Sequence, residues 1–137
     1  MLDLSTIREG DSLPTVVKPP ISRSTLALFA GGSGDHNPIH IDIDYAKQAG
    51  FDDVFAHGML SMAYLGQLLT NWAPQQALRS YSVRFRAITH IGDEISCSGR
   101  VSEVFQENDE PRVRIELTAA NQNGDVKLIG EAVIAVY

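Results

Sequence analysis

The sequence has little cysteine and no excess of positive charge, and each deficit excludes a class of protein. Its single cysteine, Cys97, cannot form a disulfide within the chain, which excludes a disulfide-stapled miniprotein and favours a reducing compartment. The 137 residues carry 11 lysines and arginines against 17 aspartates and glutamates, a net charge of −6 with neutral histidines. Without a basic cluster, the chain lacks the phosphate-neutralising surface of a nucleic-acid-binding protein, so we expect no nucleic-acid partner.

Long apolar segments are also missing. The most apolar stretch, residues 59–72, is interrupted by Gln67 and Asn71 and is shorter than the roughly 20 residues that a membrane-spanning helix needs. The first ten residues contain three charged side chains and lack the apolar region of a signal peptide. We therefore expect a soluble, cytoplasmic protein without a membrane partner, in which residues 1–137 form one domain.

The first half of the chain has the pattern of helices and loops. Ser22 and Asp42 are typical N-caps for two short helices, of which the first is expected to end at the glycines of 31–34 and the second to cover 43–48. A third helix is expected over 58–72. Its apolar residues extend most of the way around the helix, which predicts that other structure wraps it.

The second half alternates between apolar and polar residues, as strands do. The alternation covers 81–87, 95–102 and 112–119, and a fourth, more apolar strand is expected over 126–137. Asn123-Gly124 is a strong hairpin signal before that last strand. Since such a sheet has one apolar face, the sequence predicts an α+β domain in which an antiparallel sheet curls around the third helix.

Three of the four histidines lie in two short segments, residues 33–42 and 56–59. Pro38 disfavours helix around it, so Asp35 and His40 are expected on an irregular loop that can point them toward one spot. A carboxylate and an imidazole placed together can act as a general acid–base pair on a water molecule. From these residue types alone a purely structural interpretation is the simpler one, because Asp35 can bond loop amides and His40 can donate to a buried carbonyl.

Other residues of these segments also have two interpretations. Asn37 can orient a water or bond the loop backbone. His36, His40 and Asp42 are metal-ligand types, but the intervening proline argues against the helix that the i, i+4 histidine spacing requires, and we predict no metal. Gly58 at a helix N-terminus can let a carbonyl oxygen approach the unpaired amides there, or it can simply permit a tight turn.

Neighbouring side chains are candidates for contacts with a substrate. The candidates for the pocket are Phe29, Phe51, Met59 and Met62, although core packing is the simpler role for the two methionines. Arg84 and Arg86 lie on the polar face of a strand, where they can meet phosphates or only solvent. His57 is expected to hold its loop rather than to act as a base.

These motifs together resemble a known family. The matching residues are Phe29-Ala30, Ser33-Gly34-Asp35-x-Asn37-Pro38-Ile39-His40-x-Asp42, Ala46, Gly50-Phe51, Ala56-His57-Gly58-Met59, Val83-Arg84-Phe85, Gly92-Asp93 and Gly99-x-Val101. The pattern is similar to the signature of the MaoC-like, (R)-specific enoyl-CoA hydratase family. The resemblance implies a single hot-dog fold, in which the antiparallel sheet wraps one long central helix. It also implies a homodimer or higher even oligomer with sites at the interface, or a heterodimer with another hot-dog chain.

The resemblance further implies an activity, the hydration of trans-2-enoyl thioesters to (R)-3-hydroxyacyl thioesters and the reverse dehydration. By motif position Asp35 and His40 are the catalytic pair, Asn37 and His57 support the site, and the Gly58 N–H polarises the thioester carbonyl. No cofactor is implied, because CoA or an acyl carrier is part of the substrate.

Two other functions remain open. A hot-dog thioesterase would direct water at the thioester carbonyl rather than at the β-carbon, and a non-catalytic partner subunit would keep the fold for acyl-thioester binding or assembly. The Asp-x-Asn-Pro-x-His loop favours hydration, and the intact Asp35 and His40 argue against a non-catalytic role. Because the chain holds one hot dog, we expect short or medium acyl chains, or pairing with a different hot-dog chain for bulkier ones.

Overall fold

A computed structural model describes residues 3–137, so the first two residues of the expected domain lie outside it. The helices are α1 (Arg23–Ser33), α2 (Ile43–Gln48) and α3 (Gly58–Trp72). The strands are β1 (Val16–Val17), β2 (Leu78–Phe85), β3 (Ser96–Glu107), β4 (Glu110–Ala120) and β5 (Val126–Ala135). Single 3-10 turns cover Leu4–Thr6, Pro38–His40 and Gln75–Ala77. Among the residues described, no helix is long and apolar enough to cross a membrane.

The five strands form one antiparallel sheet in the order β1-β3-β4-β5-β2. The four strands expected from the alternation are present, and β1 adds a two-residue edge strand beside the start of β3. The turn between β3 and β4 is shorter than the acidic segment 107–111 suggests. Asn108 and Asp109 adopt left-handed φ angles of 54° and 59°, which close a tight hairpin and let both strands extend to the turn.

The main core lies between α3 and the curled sheet. Leu65, Leu68 and Leu69 of α3 are buried in one cluster with Ile115 and Leu117 of β4. A second cluster joins α1, α2 and the start of α3 through the following buried residues: Ile21, Leu26, Ala46, Val54, Ala56 and Leu60. The opposite side of α3 remains open within one chain, where Met59 is 54% exposed. The α+β class and the bounds of α3 are therefore as the sequence predicts.

The end of α1 is as predicted at Gly34, which closes the helix with a left-handed φ of 76°. Gly31 and Gly32 do not themselves end α1, which continues to Ser33 because buried Leu26 and Ala30 anchor it. The expectation of an irregular loop over 35–40 is wrong in part. Pro38 begins a 3-10 turn, because proline is tolerated where the first N–H of a helical turn has no partner.

Glycine substitutions test how closely the last two strands of the sheet approach. A Cβ built at Gly130 of β5 would lie 2.5 Å from the Ser82 carbonyl oxygen of β2, so Gly130→Ala forces these strands apart. We expect thermal or urea unfolding to show a loss of about 1–3 kcal/mol. Gly32→Ala is the control, since nothing lies within 4 Å of its Cβ and alanine favours helix by roughly 1 kcal/mol. A Gly130→Ala protein as stable as wild type would contradict the close approach.

Candidate active site

The loop after α1 is built from short polar side chains that bond the backbone just ahead of them. Asp35 Oδ1 accepts from the Asn37 N–H at 3.2 Å, and Asn37 Oδ1 accepts from the Ile39 N–H at 3.1 Å. These two turns lead the chain directly into Pro38 and His40. Asp35 and Asn37 therefore do bond the loop backbone, as the structural interpretation expects. Among the contacts described, these bonds use only one carboxylate oxygen of Asp35.

His40 is oriented by the backbone in front of α3. Its Nδ1 lies 2.7 Å from the carbonyl oxygen of Phe55. A carbonyl can only accept, so Nδ1 carries the hydrogen and Nε2 of the neutral ring is the proton acceptor. The ring edge of Phe55 packs against the imidazole with centroids 5.3 Å apart. The hydrogen bond thus places His40 and determines which ring nitrogen can take a proton.

His57 joins the same cluster from the other segment. Its Nε2 donates to the Asp35 carbonyl oxygen at 3.1 Å, and its ring stacks on His40 with centroids 4.0 Å apart and planes 27° from parallel. The ring of Phe29 also packs edge-on with that of His57, with centroids 4.9 Å apart. His57 is 1% exposed, and this burial lowers its pKa below 6.5. The hydrogen bond to the Asp35 carbonyl raises the pKa of His57, and the nearby His40 lowers it, so the net shift is downward.

The three side chains converge closely. Ligand-type atoms of Asp35, His40 and His57 all lie within 4.8 Å of one another. Imidazole lone pairs lie in the ring plane, so two nearly parallel stacked rings direct their nitrogens side by side rather than onto one ion. The cluster fits proton transfer better than metal coordination, and it differs from the set of His36, His40 and Asp42 considered from the sequence.

A cavity of about 320 Å³ opens beside His40 at the N-terminus of α3. Its lining consists of His40, Phe55, Ala56, Gly58, Ser61, Phe85, Arg86, Ala87, Ile88, Thr89 and Leu128. No side chain caps α3, whose N-cap residue is His57, so its first amides are available to an acceptor in the cavity. A Cβ at Gly58 would lie 3.0 Å from the Phe85 ring, which shows how closely that ring approaches residue 58.

The remaining predicted site residues lie at different places. Phe29 and Phe51 are half-buried. The ring of Phe29 packs on His57, and the ring of Phe51 packs on Phe55 with centroids 4.9 Å apart. Met59 is exposed outside the cavity and Met62 packs against the main core. Arg86 lines the cavity, whereas Arg84 lies in a separate groove on β2 and β5. These substrate contacts stay predictions.

Several residues that line the cavity are not among the site residues predicted from the sequence. Phe85 is 54% exposed at the end of β2, and its ring lies against Gly58. Ser61 and Thr89 are buried and their hydroxyl oxygens lie 3.2 Å apart. A serine among the apolar residues of the first turn of α3 was the available signal for this pair.

The sequence matches a known protein family over most of its length. Residues 6–123 match the family described as MaoC like domain. The chain belongs to this family. It is 34% identical over 132 residues to an (R)-specific enoyl-CoA hydratase of Rhodospirillum rubrum, covering 95% of this chain and 88% of that one. It is 35% identical over 129 residues to a 3-hydroxybutyryl-CoA dehydratase of Methylorubrum extorquens, covering 90% and 78%.

A solved structure supports the fold assignment. The unliganded R-hydratase of Pseudomonas aeruginosa matches with a TM-score of 0.85 and 30% identity, covering 98% of this chain and 86% of that one. The fold is therefore the hot dog, and the family resemblance read from the sequence motifs is confirmed.

The buried neutral His57 predicts a pH-dependent stability. Because its pKa in the folded state is below the unfolded value of about 6.5, protonation favours unfolding. The contribution of neutral His57 to the free energy of unfolding is fully present above its unfolded pKa. This contribution is expected to be lost as the pH drops through its folded pKa. Thermal unfolding of His57→Gln should show a lower Tm at neutral pH and a shallower loss of Tm in acid. Exposed His36→Gln is the control, and equal slopes for His57→Gln and wild type would contradict the assignment.

Proposed function

We propose that this hydratase-family protein adds water to trans-2-enoyl thioesters, giving (R)-3-hydroxyacyl thioesters, and that Asp35 and His40 are its acid–base pair. The observation that supports the pair is the His40 Nδ1 bond to Phe55, which leaves Nε2 as the proton acceptor within a cluster that contains the Asp35 carboxylate. His57 and Asn37 support the pair by holding the Asp35 carbonyl and the turn before His40.

The proposed reaction needs two proton transfers and one stabilised oxygen. The pair removes a proton from water while the water oxygen bonds the β-carbon. The π electrons of the α,β double bond then move through the α-carbon to the thioester oxygen. The Gly58 N–H, at the uncapped start of α3, stabilises the charge on that oxygen. A proton from the same pair then bonds the α-carbon and completes the addition. The steps transfer only protons and water, so we propose that no metal or redox cofactor takes part.

The carrier and the partner subunit are also proposals. Arg86 lines the cavity and can contact the phosphates of CoA, whereas Arg84 faces a different groove. Exposed Met59, Phe85 and Ile88 give the surroundings of the cavity an apolar surface in one chain. We propose that a second hot-dog chain covers it, either another copy or a related subunit, in a single-domain protein of the cytoplasm.

The proposal is tested with crotonyl-CoA by following the loss of the enoyl-thioester absorbance and the stereochemistry of the product. Wild type should form the (R)-3-hydroxy product, and Asp35→Asn and His40→Ala should each be slower by at least about 100-fold, since each removes a proton-transfer group. His36→Ala is the matched control, because His36 is exposed in the same loop.

The alternative functions predict different results in assays of the same proteins. Free thiol released from saturated acyl-CoA would identify a thioesterase. A folded wild-type protein that is inactive with every chain length would identify a non-catalytic subunit. Full activity in both Asp35→Asn and His40→Ala would contradict the proposed pair while leaving the hydratase reaction in place.

A further inference from the structure

Lys127, near the start of β5, is a buried basic residue outside the acid–base cluster. It is 4% exposed, and its Nζ donates to the Ile88 carbonyl oxygen at 2.8 Å. Its partner is buried Asp93, whose Oδ2 lies 3.6 Å from Nζ. Lysine is almost never fully buried without a partner, and the desolvation of a buried ion pair offsets much of its attraction. The position of Lys127 therefore calls for an explanation other than stability.

The contacts of Lys127 are directed at one side of the cavity. Residues 86–89, which we call the 86–89 wall, all line it. The Lys127 carbonyl accepts from the Arg86 N–H at 2.8 Å and from the Ala87 N–H at 3.4 Å, while its side chain holds Ile88. One residue thus bonds three of the four residues of the wall.

The acidic partner secures the far end of the wall. Asp93 Oδ2 accepts from the His90 N–H at 2.8 Å, directly after Thr89. Asp93 Oδ1 accepts from Asn121 Nδ2 at 3.3 Å, which ties this end to the hairpin before β5. Lys127 and Asp93 therefore hold the wall from both of its ends.

The wall is bonded in turn to the start of α3. The Thr89 carbonyl accepts from the Ala56 N–H at 2.9 Å, and the Thr89 and Ser61 hydroxyl oxygens lie 3.2 Å apart. Ala56 precedes His57, and Ser61 follows Gly58 by three residues. A shift of the wall would therefore move His57, which bonds the Asp35 carbonyl, and Gly58, the proposed donor to the thioester carbonyl.

We infer that Lys127 is a positioning residue, which orients the 86–89 wall and through it the N-terminus of α3 for reaction. The inference rests on the proposed function for its kinetic consequence. Lys127 contacts the wall rather than the reacting atoms, so its loss should misplace the thioester carbonyl relative to Asp35 and His40. Misplacement of about 1 Å can cost on the order of 100-fold in rate.

The test substitutes Lys127 by methionine, which keeps the length of the side chain and removes the donor. For Lys127→Met, kcat with crotonyl-CoA should fall by at least about 10-fold, with a smaller change in KM. Amide hydrogen exchange should become faster in peptides covering 55–61 and 86–93, because the Ala56–Thr89 bond opens more often. The matched control is Ile115→Val in the buried sheet core, which lowers Tm without contacting the wall.

The outcomes separate a positioning role from a structural one. Slower turnover and faster local exchange in Lys127→Met, with neither change in Ile115→Val, would support the inference. A lower Tm with wild-type kcat and exchange would overturn it. If Lys127→Met does not fold, Lys127→Gln, which keeps a neutral donor, is judged by the same two measurements. If wild type hydrates no enoyl thioester, the proposed function fails, and the exchange measurement alone decides whether Lys127 holds the wall.

Discussion

The hydrogen bond from His40 Nδ1 to the Phe55 carbonyl is the contact on which the site depends. It joins the loop after α1 to the segment that leads into α3, and it selects the nitrogen of His40 that can accept a proton. The bond from His57 Nε2 to the Asp35 carbonyl crosses between the same two segments in the opposite direction. Two bonds and one ring stack thus bring a carboxylate and an imidazole to the uncapped helix N-terminus.

The rest of the fold keeps that helix N-terminus in place. The leucines of α3 pack into the apolar face of the sheet, so the helix cannot move without opening the main core. At its first turn, Ser61 adds a polar contact with Thr89, and Lys127 holds the neighbouring Ile88 carbonyl. Hydrogen bonds are directional and the hydrophobic effect is not, so polar contacts are suited to orienting a cavity wall. The molecule therefore combines an apolar anchor for α3 with polar alignment of its reactive end.

Local sequence signals were sufficient where the structure depends on nearby residues. Ser22 and Asp42 cap their helices because capping involves only the next three residues, and alternation located the strands because burial on one face imposes a period of two. Glycine also marked the end of α1 at Gly34, although Gly31 and Gly32 stay helical because buried neighbours outweigh the low helix propensity of glycine. Alternation alone gives no sign that Phe85, still paired with Leu128 at the end of β2, is 54% exposed.

The sequence by itself determined the family, the α+β class and the residue types available for chemistry, because these depend on motifs, period and composition. The tertiary structure decided which of them meet. Asp35, His40 and His57 are separated by up to 22 positions, and only the packing of α1 beside the start of α3 brings their atoms within 4.8 Å. The burial of Lys127 beneath the 86–89 wall had no local signal at all. Its partners Ile88 and Asp93 lie more than 30 residues earlier, and a contact at that distance is set by the register of the sheet and its loops.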